Sequence, residues 1–349
     1  MADEIDSEKP EARGRTVTLH DVAAAAGVSI ATVSRALNGL AVSKEALKKV
    51  EGAADQLGYV ANEAARSLRS DRSMTMGLIF RRLDSSVGLE MLDALTAVVE
   101  GAGYSLFVST ARDDDGRYDT LLRRFLERRV DAVFCAHPGG EGALLARYRA
   151  AGTPVAALFN RSGAYEALPF LYPTVEGAAD AAVRRLSSLG HRRVAVILGE
   201  AVRGPMIAVR QALKAFGLEI ETRRLAEGPL DPAAWLAAWR AAAERPTAVF
   251  ADVADAVNLL RTARRLGIEV PRELSVVAIT DTGSRAGRLS QPPAAIQIDG
   301  AALGAAAGRM MLDWLGGEPP TAVQKVSVGS WIERETIGPA TPPAPRAEA

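Results

Sequence analysis

The sequence predicts a small all-α unit followed by an α/β core of two doubly wound parallel-sheet subdomains. Three observations carry this. Over residues 16–73 the chain reads as short helices only, and from Met74 the pattern changes to short apolar strands alternating with amphipathic helices. Such alternation places helices on both faces of parallel sheets. It runs for roughly twice the length that one doubly wound domain needs, so two sheets are expected. The length of 349 residues agrees, since domains of roughly 100–200 residues make it two or three folded units.

Within the first unit, Thr18 is followed three residues later by Asp21, a spacing that opens a helix. The Thr18 hydroxyl accepts the Asp21 N–H, and the carboxylate sits on the positive helix end. That helix carries Leu19, Val22, Ala23 and Ala26 and stops at Gly27. Ser29 caps a second helix, IATVSRALN, whose inward face is Val33, Ala36 and Leu37. Two short helices joined by GVS, with alanines where they cross, form a helix-turn-helix. A third helix begins at Ser43, buries Leu47, Val50, Ala54 and Leu57 at helical spacing, and ends at Gly58. Glu45 and Lys49 make a favourable i,i+4 pair on its outside.

From Met74 the buried-strand candidates are MGLIF, YSLFVST, DAVFCA, PVAALF, RVAVIL, TAVFA and SVVAIT. Helices are expected over 88–100, 118–127, 177–189, 233–243 and 254–266. Trp235, Trp239, Trp314 and Trp331 fall in helical or strand patterns as core residues, and the HRRV and RRL clusters read as solvated faces. Residues 1–15, charged and polar, and 339–349, rich in Pro and Ala, are expected to be disordered tails.

Composition excludes several classes. Lys+Arg 42 balances Asp+Glu 42, so the chain is neither a wholly basic nucleic-acid coat protein nor an acidic disordered one, though a local basic face stays open. Three of the six lysines, Lys44, Lys48 and Lys49, fall in the first unit's third helix. Cys135 is the single cysteine and lies in a buried-strand candidate, so no intrachain disulfide forms and a reducing, cytoplasmic setting is expected. The N-terminus has no apolar secretory segment, and no run of about 18 apolar residues is present to cross a membrane. With histidines only at His20, His137 and His191, zinc-site spacing is missing, and neither metal nor cofactor is expected. The dinucleotide-binding glycine fingerprint, the phosphate-loop lysine and the nucleophile-elbow serine are missing too, so no catalytic residues are assigned.

If the second helix enters a DNA major groove, its exposed N-terminal positions meet base edges. Of these, Arg35 can bind guanine bidentately, whereas Ile30 and Ala31 offer apolar contact to a thymine methyl. Thr18, Ser29, Thr32, Ser34 and Asn38 supply hydroxyls and an amide suited to phosphate oxygens, which position the protein without specifying sequence. Over about fifty residues, VTLHDVAAAAGVSIATVSRALNG and then VSKEALKKVEGAADQLGYVANEAARSLRS resemble the DNA-binding headpiece of the LacI/GalR transcriptional regulators. The chain beyond resembles that family's core, which is itself periplasmic-binding-protein-like.

The resemblance implies a helix-turn-helix domain over 16–60, a hinge helix or linker over 61–73 and an effector-binding and dimerisation core over 74–338. It further implies that the hinge folds in the minor groove, with Leu68 as an apolar wedge at a central base step, Asn62 on the backbone and Ala65 facing the partner hinge. Tyr59 falls near the phosphates, Leu19 and His20 join the candidate DNA contacts, and Ala61 stands where the family usually has proline. A homodimer on a pseudopalindromic double-stranded operator follows, because one half-site is too small a contact set for high specificity. The tail lacks heptads, so no zipper-linked tetramer is expected.

In the family a small-molecule effector sits in the cleft between two subdomains. The framework segments GHRRVAVILG, PTAVFADVADAVNLLRTARRLGIEVPRELSVVAITD and ALGAAAGRMML match, but the pocket chemistry departs. Val87 and Gly88 replace an aromatic pair, Pro205 an arginine, Val253 and Ala254 an Asn-Asp pair, and Thr280 the first acid of an Asp-Asp pair. A sugar needs its hydroxyls paired and its ring face covered, and each unpaired buried polar group costs about 1–3 kcal/mol. An ordinary pyranose therefore fits poorly. Candidate effector contacts are Asn160, Arg161, Arg203, Asp255, Thr280 and Asp281.

The expected function is a sequence-specific transcriptional regulator, a repressor modulated through the core. The alternative is a core that serves as an effector-independent dimerisation scaffold, or one that answers to a non-sugar ligand or a protein. Residues 15–72 carry eight basic and six acidic side chains, a net of +2, so affinity rests on dimerisation, hinge folding and placed contacts more than on bulk charge.

Overall fold

The computed structural model describes residues 17–37, 40–59, 72–83, 85–136, 138–159, 163–198, 203–224, 230–280 and 291–341. The chain divides into two compact units, Met1–Ser73 and Met74–Ala349.

The first unit holds α1 (Leu19–Ala26), α2 (Ile30–Leu37) and α3 (Lys44–Leu57). Thr18 and Asp21 form a reciprocal capping box at the start of α1, and Gly27 ends that helix at φ 65, a left-handed conformation that glycine adopts without strain. Ser29 accepts the Thr32 N–H at 3.1 Å, and Ser43 accepts the Ala46 N–H at 3.2 Å, so all three helices start on hydroxyl caps. Val22, Ala23, Ala26, Val33, Ala36, Val50, Ala53 and Ala54 make one small core. Leu57, expected inside, is 37% exposed, and Ala53 lies inside instead. Leu57 lies at the very end of α3, beyond Ala54, which is the last residue of that helix in the small core.

The second unit contains two six-stranded sheets. The first runs β11 (Val323–Ser327), β5 (Phe170–Thr174), β4 (Val155–Leu158), β3 (Ala132–Ala136), β1 (Thr75–Phe80), β2 (Ser105–Thr110). The second runs β12 (Gly329–Ile332), β10 (Ala294–Ile298), β9 (Ser275–Ile279), β8 (Ala248–Asp252), β6 (Arg193–Leu198), β7 (Glu219–Arg224). The helices are α4 (Ser86–Gly101), α5 (Asp115–Glu127), α6 (Leu145–Ala150), α7 (Glu176–Ser188), α8 (Arg203–Ala215), α9 (Pro232–Ala241), α10 (Val253–Arg265) and α11 (Gly300–Leu315). Strands β3, β4 and β9 are buried at every position, as central parallel strands covered on both faces must be. One apolar cluster runs through both sheets, and two others lie beneath α5 with α6 and beneath α9 with α10. Trp235 and Trp239 are buried in the last of these, while Trp314 and Trp331 are partly buried against the first.

The chain passes between the sheets after β5, after β10 and after β11. Val328 ties these crossings together: its N–H donates to Thr174 O at 3.2 Å and its carbonyl accepts the Asp299 N–H at 2.8 Å. Since Thr174 ends β5 and Asp299 follows β10, the crossings join the carboxyl ends of the two sheets.

Four sequence expectations need correction. The second sheet is not wholly parallel, because β12 runs antiparallel to β10. It follows β11 after Val328 alone, so it enters the second sheet from the crossing and runs down from the carboxyl end of β10. YSLFVST is not a buried strand: β2 is an edge, with Phe107 36% and Val108 41% exposed. His191, read as part of a solvated cluster, is buried, bonded to Thr247 Oγ1 at 2.7 Å and to Gly338 O at 3.0 Å. The C-terminal segment expected to be loose is pinned as far as Ala340, whose N–H donates to Leu189 O at 2.8 Å. Among the described residues no helix is long and apolar enough to cross a membrane, and no three His, Cys, Asp or Glu side chains gather as a metal site.

Candidate nucleic-acid interface and effector cleft

In the first unit, burial of Val33 and Ala36 turns the opposite face of α2 outward. Ile30, 41% exposed, Ala31 and Arg35 stand on it, with Ala31 and Arg35 one helical turn apart. Ser34 is half-buried beside them. Ser29 Oγ lies 2.9 Å from Thr32 Oγ1, so these two hydroxyls serve the cap and each other. Thr18 is fully committed: its hydroxyl donates to Asp21 Oδ2 at 2.7 Å and its N–H to the same oxygen at 2.8 Å, leaving no hydroxyl proton for a phosphate. His20 is exposed, while Leu19 and Tyr59 are half-buried against the small core. Lys49 binds Glu45 at 2.8 Å, and this pairing holds the Glu45 carboxyl below its usual range. Lys44 and Lys48 are exposed. Leu40, unassigned from the sequence, is 58% exposed and donates its N–H to Arg35 O at 2.9 Å. A leucine outside any helical stripe was the legible sign of it. Asn38, Asn62, Ala65 and Leu68 lie outside the described residues.

In the second unit, strand order reverses between β1 and β3 in one sheet and between β6 and β8 in the other. Open α/β sheets bind ligands at such switch points, outside the carboxyl ends of the strands. Asp255 sits in the first turn of α10, just past β8, and is 4% exposed. Burial pushes its carboxyl up to about 6, with Asp252 adding to the shift and the Leu230 N–H opposing it. Thr280 follows β9 at φ 63, and its hydroxyl proton is spent on Ile279 O. Arg203 opens α8. Asn160, Arg161 and Asp281 lie outside the described residues.

The structure adds a cluster that the sequence reading missed. Just past β1, Arg81 binds Asp115 at 2.7 Å, and Arg82 binds Asp113 at 2.9 Å. The Arg81–Asp115 pair lies close on Gly139, whose carbonyl accepts the Tyr165 hydroxyl at 2.8 Å. Across the crossings Tyr172 of β5 reaches Gly204 at the start of α8, where a β-carbon would stand 3.4 Å from its hydroxyl. The switch point of the first sheet is thus lined by paired charges, and Tyr172 packs on the start of α8.

Residues 18–62 match the model for bacterial regulatory proteins of the lacI family, and residues 183–337 match a periplasmic binding protein-like domain. The HTH-type transcriptional regulator MalR of Streptomyces coelicolor is 31% identical over 324 residues, covering 87% of this chain and 92% of the relative. The chain belongs to the lacI family of bacterial regulatory proteins. It is a DNA-binding transcriptional regulator with a helix-turn-helix and a periplasmic-binding-protein-like core. A second lacI-family relative, the regulator CelR of Thermobifida fusca, is 30% identical over 343 residues, covering 93% of this chain and 99% of its own. Among solved structures, a lac repressor dimer bound to operator and an anti-inducer superposes with TM-score 0.80 at 25% identity, covering 93% of this chain and 100% of that one.

Proposed function

We propose that this lacI-family protein is a homodimeric repressor that reads a pseudopalindromic operator with α2 of each headpiece. The observation that carries the reading is the outward face of Ile30, Ala31 and Arg35 on a helix held by hydroxyl caps and an alanine-rich core. Arg35 supplies the base-specific contact, and the exposed Lys44 and Lys48, with Ser34 and Asn38, the phosphate contacts. Asn62, Ala65 and Leu68 form the hinge contact, and Leu68 wedges the minor groove. The exposed apolar residues Leu89, Phe107, Val108 and Ile207 supply material for the dimer interface. A cytoplasmic location and the lack of a catalytic role go with this reading, in line with relatives named as transcriptional regulators.

The core cleft takes a small-molecule effector at the facing switch points, with Asn160, Arg161, Arg203, Asp255, Thr280 and Asp281 as candidate contacts. The Thr280 hydroxyl, spent on Ile279 O, favours a second reading, in which the core is an effector-independent scaffold. Selection of bound sequences from a randomised duplex pool, at stated salt, tests the DNA reading: a two-fold symmetric consensus supports it, and no consensus overturns it. Thermal-shift screening of sugars, sugar phosphates and small acids separates the two readings of the core, because a ligand of the folded state must raise its stability.

A further inference from the structure

Some arginines of the core are held in ion pairs. Arg81 and Arg82 bind Asp113 and Asp115, Arg185 binds Glu333, Arg193 binds Glu219 and Glu244, and Arg272 binds Glu269. Arg124, Arg128 and Arg129 at the end of α5, with Arg147 and Arg149 on α6, are exposed and form no ion pair with a described residue. Arg128 lies over the Phe107 ring at 5.7 Å, which aims it without neutralising it. The two helices are neighbours, since the Tyr148 hydroxyl of α6 donates to Leu122 O of α5 at 2.6 Å.

Helices of a doubly wound sheet run antiparallel to its strands, so these arginines lie at the amino end of the first sheet. That is the end by which the chain enters the core: Asp131, just past Arg129, accepts the Met74 N–H at 2.9 Å and donates its own N–H to Thr75 O at 2.8 Å. Helix dipoles favour a cation or two in a last turn. Five guanidiniums, with Glu127 among them and Asp131 engaged by Met74, exceed that.

We infer that this arginine face is a second, sequence-independent contact for the phosphate backbone of the duplex that the headpiece reads, outside the half-sites. The inference rests on the DNA-binding reading. The chain from the headpiece runs directly into Met74, so a protein bound by its headpiece holds the core tethered to the same duplex at high effective concentration. Guanidinium matches phosphate bidentately, and each further phosphate contact adds to counterion release and steepens the salt dependence.

The test titrates the full-length protein, over a series of salt concentrations, against two duplexes carrying the same selected palindrome. One is trimmed to the site, and the other carries about ten more base pairs on each side. The wild type is expected to bind the longer duplex about tenfold more tightly at low salt, with a salt slope steeper by about two to four. The triple variant Arg124→Gln, Arg147→Gln, Arg149→Gln leaves Arg128 on Phe107. It is expected to match the wild type on the trimmed duplex and to lose most of the increment on the longer one, and lysines at the same positions are expected to restore most of it. Equal affinity and slope on both duplexes for the wild type overturns the inference, whatever the variant does. A glutamine variant that keeps the increment overturns it too, and leaves the face to an acidic partner. A wild type with no preference for the palindrome over unrelated DNA overturns the DNA-binding reading instead.

Discussion

Gly304 of α11 rests against the carbonyl oxygen of Met91 in α4, and a β-carbon at Gly304 would overlap it. Gly300 lies on the Val87 carbonyl and Gly308 on the Val98 side chain at the same four-residue spacing, so the two helices touch backbone to backbone at Gly300 and Gly304. Helix α4 belongs to the first sheet, and α11 brings the chain back to that sheet from the second. Gly304→Ala gains about 1 kcal/mol of helix propensity. It loses more to overpacking, which costs about 1–3 kcal/mol and most where the clash is with backbone. A lower urea midpoint is expected for the core, and an unchanged midpoint would mean that the helices part at no cost.

Asp255 should make stability depend on pH. Its folded pKa is raised to about 6, so the neutral form is favoured in the folded state. That contribution is present below the unfolded carboxyl value and is lost as pH rises through about 6. Asp255→Asn is therefore expected to raise the unfolding midpoint at pH 7 and to lose that advantage below about pH 4. Thermal melts across this range check it, and a constant difference at all pH values would contradict it.

His191 runs the opposite way. Burial lowers its pKa, while the bond to Gly338 O opposes the shift. The neutral ring is favoured in the folded state, so its stability is present above the unfolded value of about 6.5 and is lost as pH falls toward the lowered folded value. The Asp255→Asn background isolates this loss between pH 7 and 5, and adding His191→Gln is expected to flatten it while lowering the midpoint at pH 7.

Thr18 acts through its cap. Thr18→Ala is expected to cost the headpiece about 1 kcal/mol. The loss should appear in headpiece unfolding, followed by amide exchange in α1, with the core transition unmoved.

Arg35→Ala is expected to cost about 1–3 kcal/mol of operator binding and to relax base preference at one position per half-site. Binding to a series of single-base operator variants reads both effects together.

The headpiece was legible in the sequence because its determinants are local. Thr18, Ser29 and Ser43 cap, Gly27 and Gly58 stop, and the apolar spacing between them fixes the helices. In the core, seven strands were legible as apolar runs, while β5, β7, β10, β11 and β12 went beyond them. Edge strands β7 and β11 carry polar residues, and β5 holds Pro173, which interrupts a strand pattern. The framework segments of the core were legible, but the pairing of Arg81 with Asp115, the burial of His191 and the nearness of the arginines of α5 to those of α6 were not. Each depends on which segments the fold brings together, and local spacing carries no record of that.

The most direct test of DNA reading by α2 is a hydroxyl-radical footprint on DNA from the protein's own promoter region, comparing wild type with Arg35→Ala at stated salt. The wild type is expected to protect two symmetric half-sites about one helical turn apart, and Arg35→Ala to weaken both equally. Protection without symmetry, or a footprint and base preference unchanged by the Arg35 substitution, would contradict it.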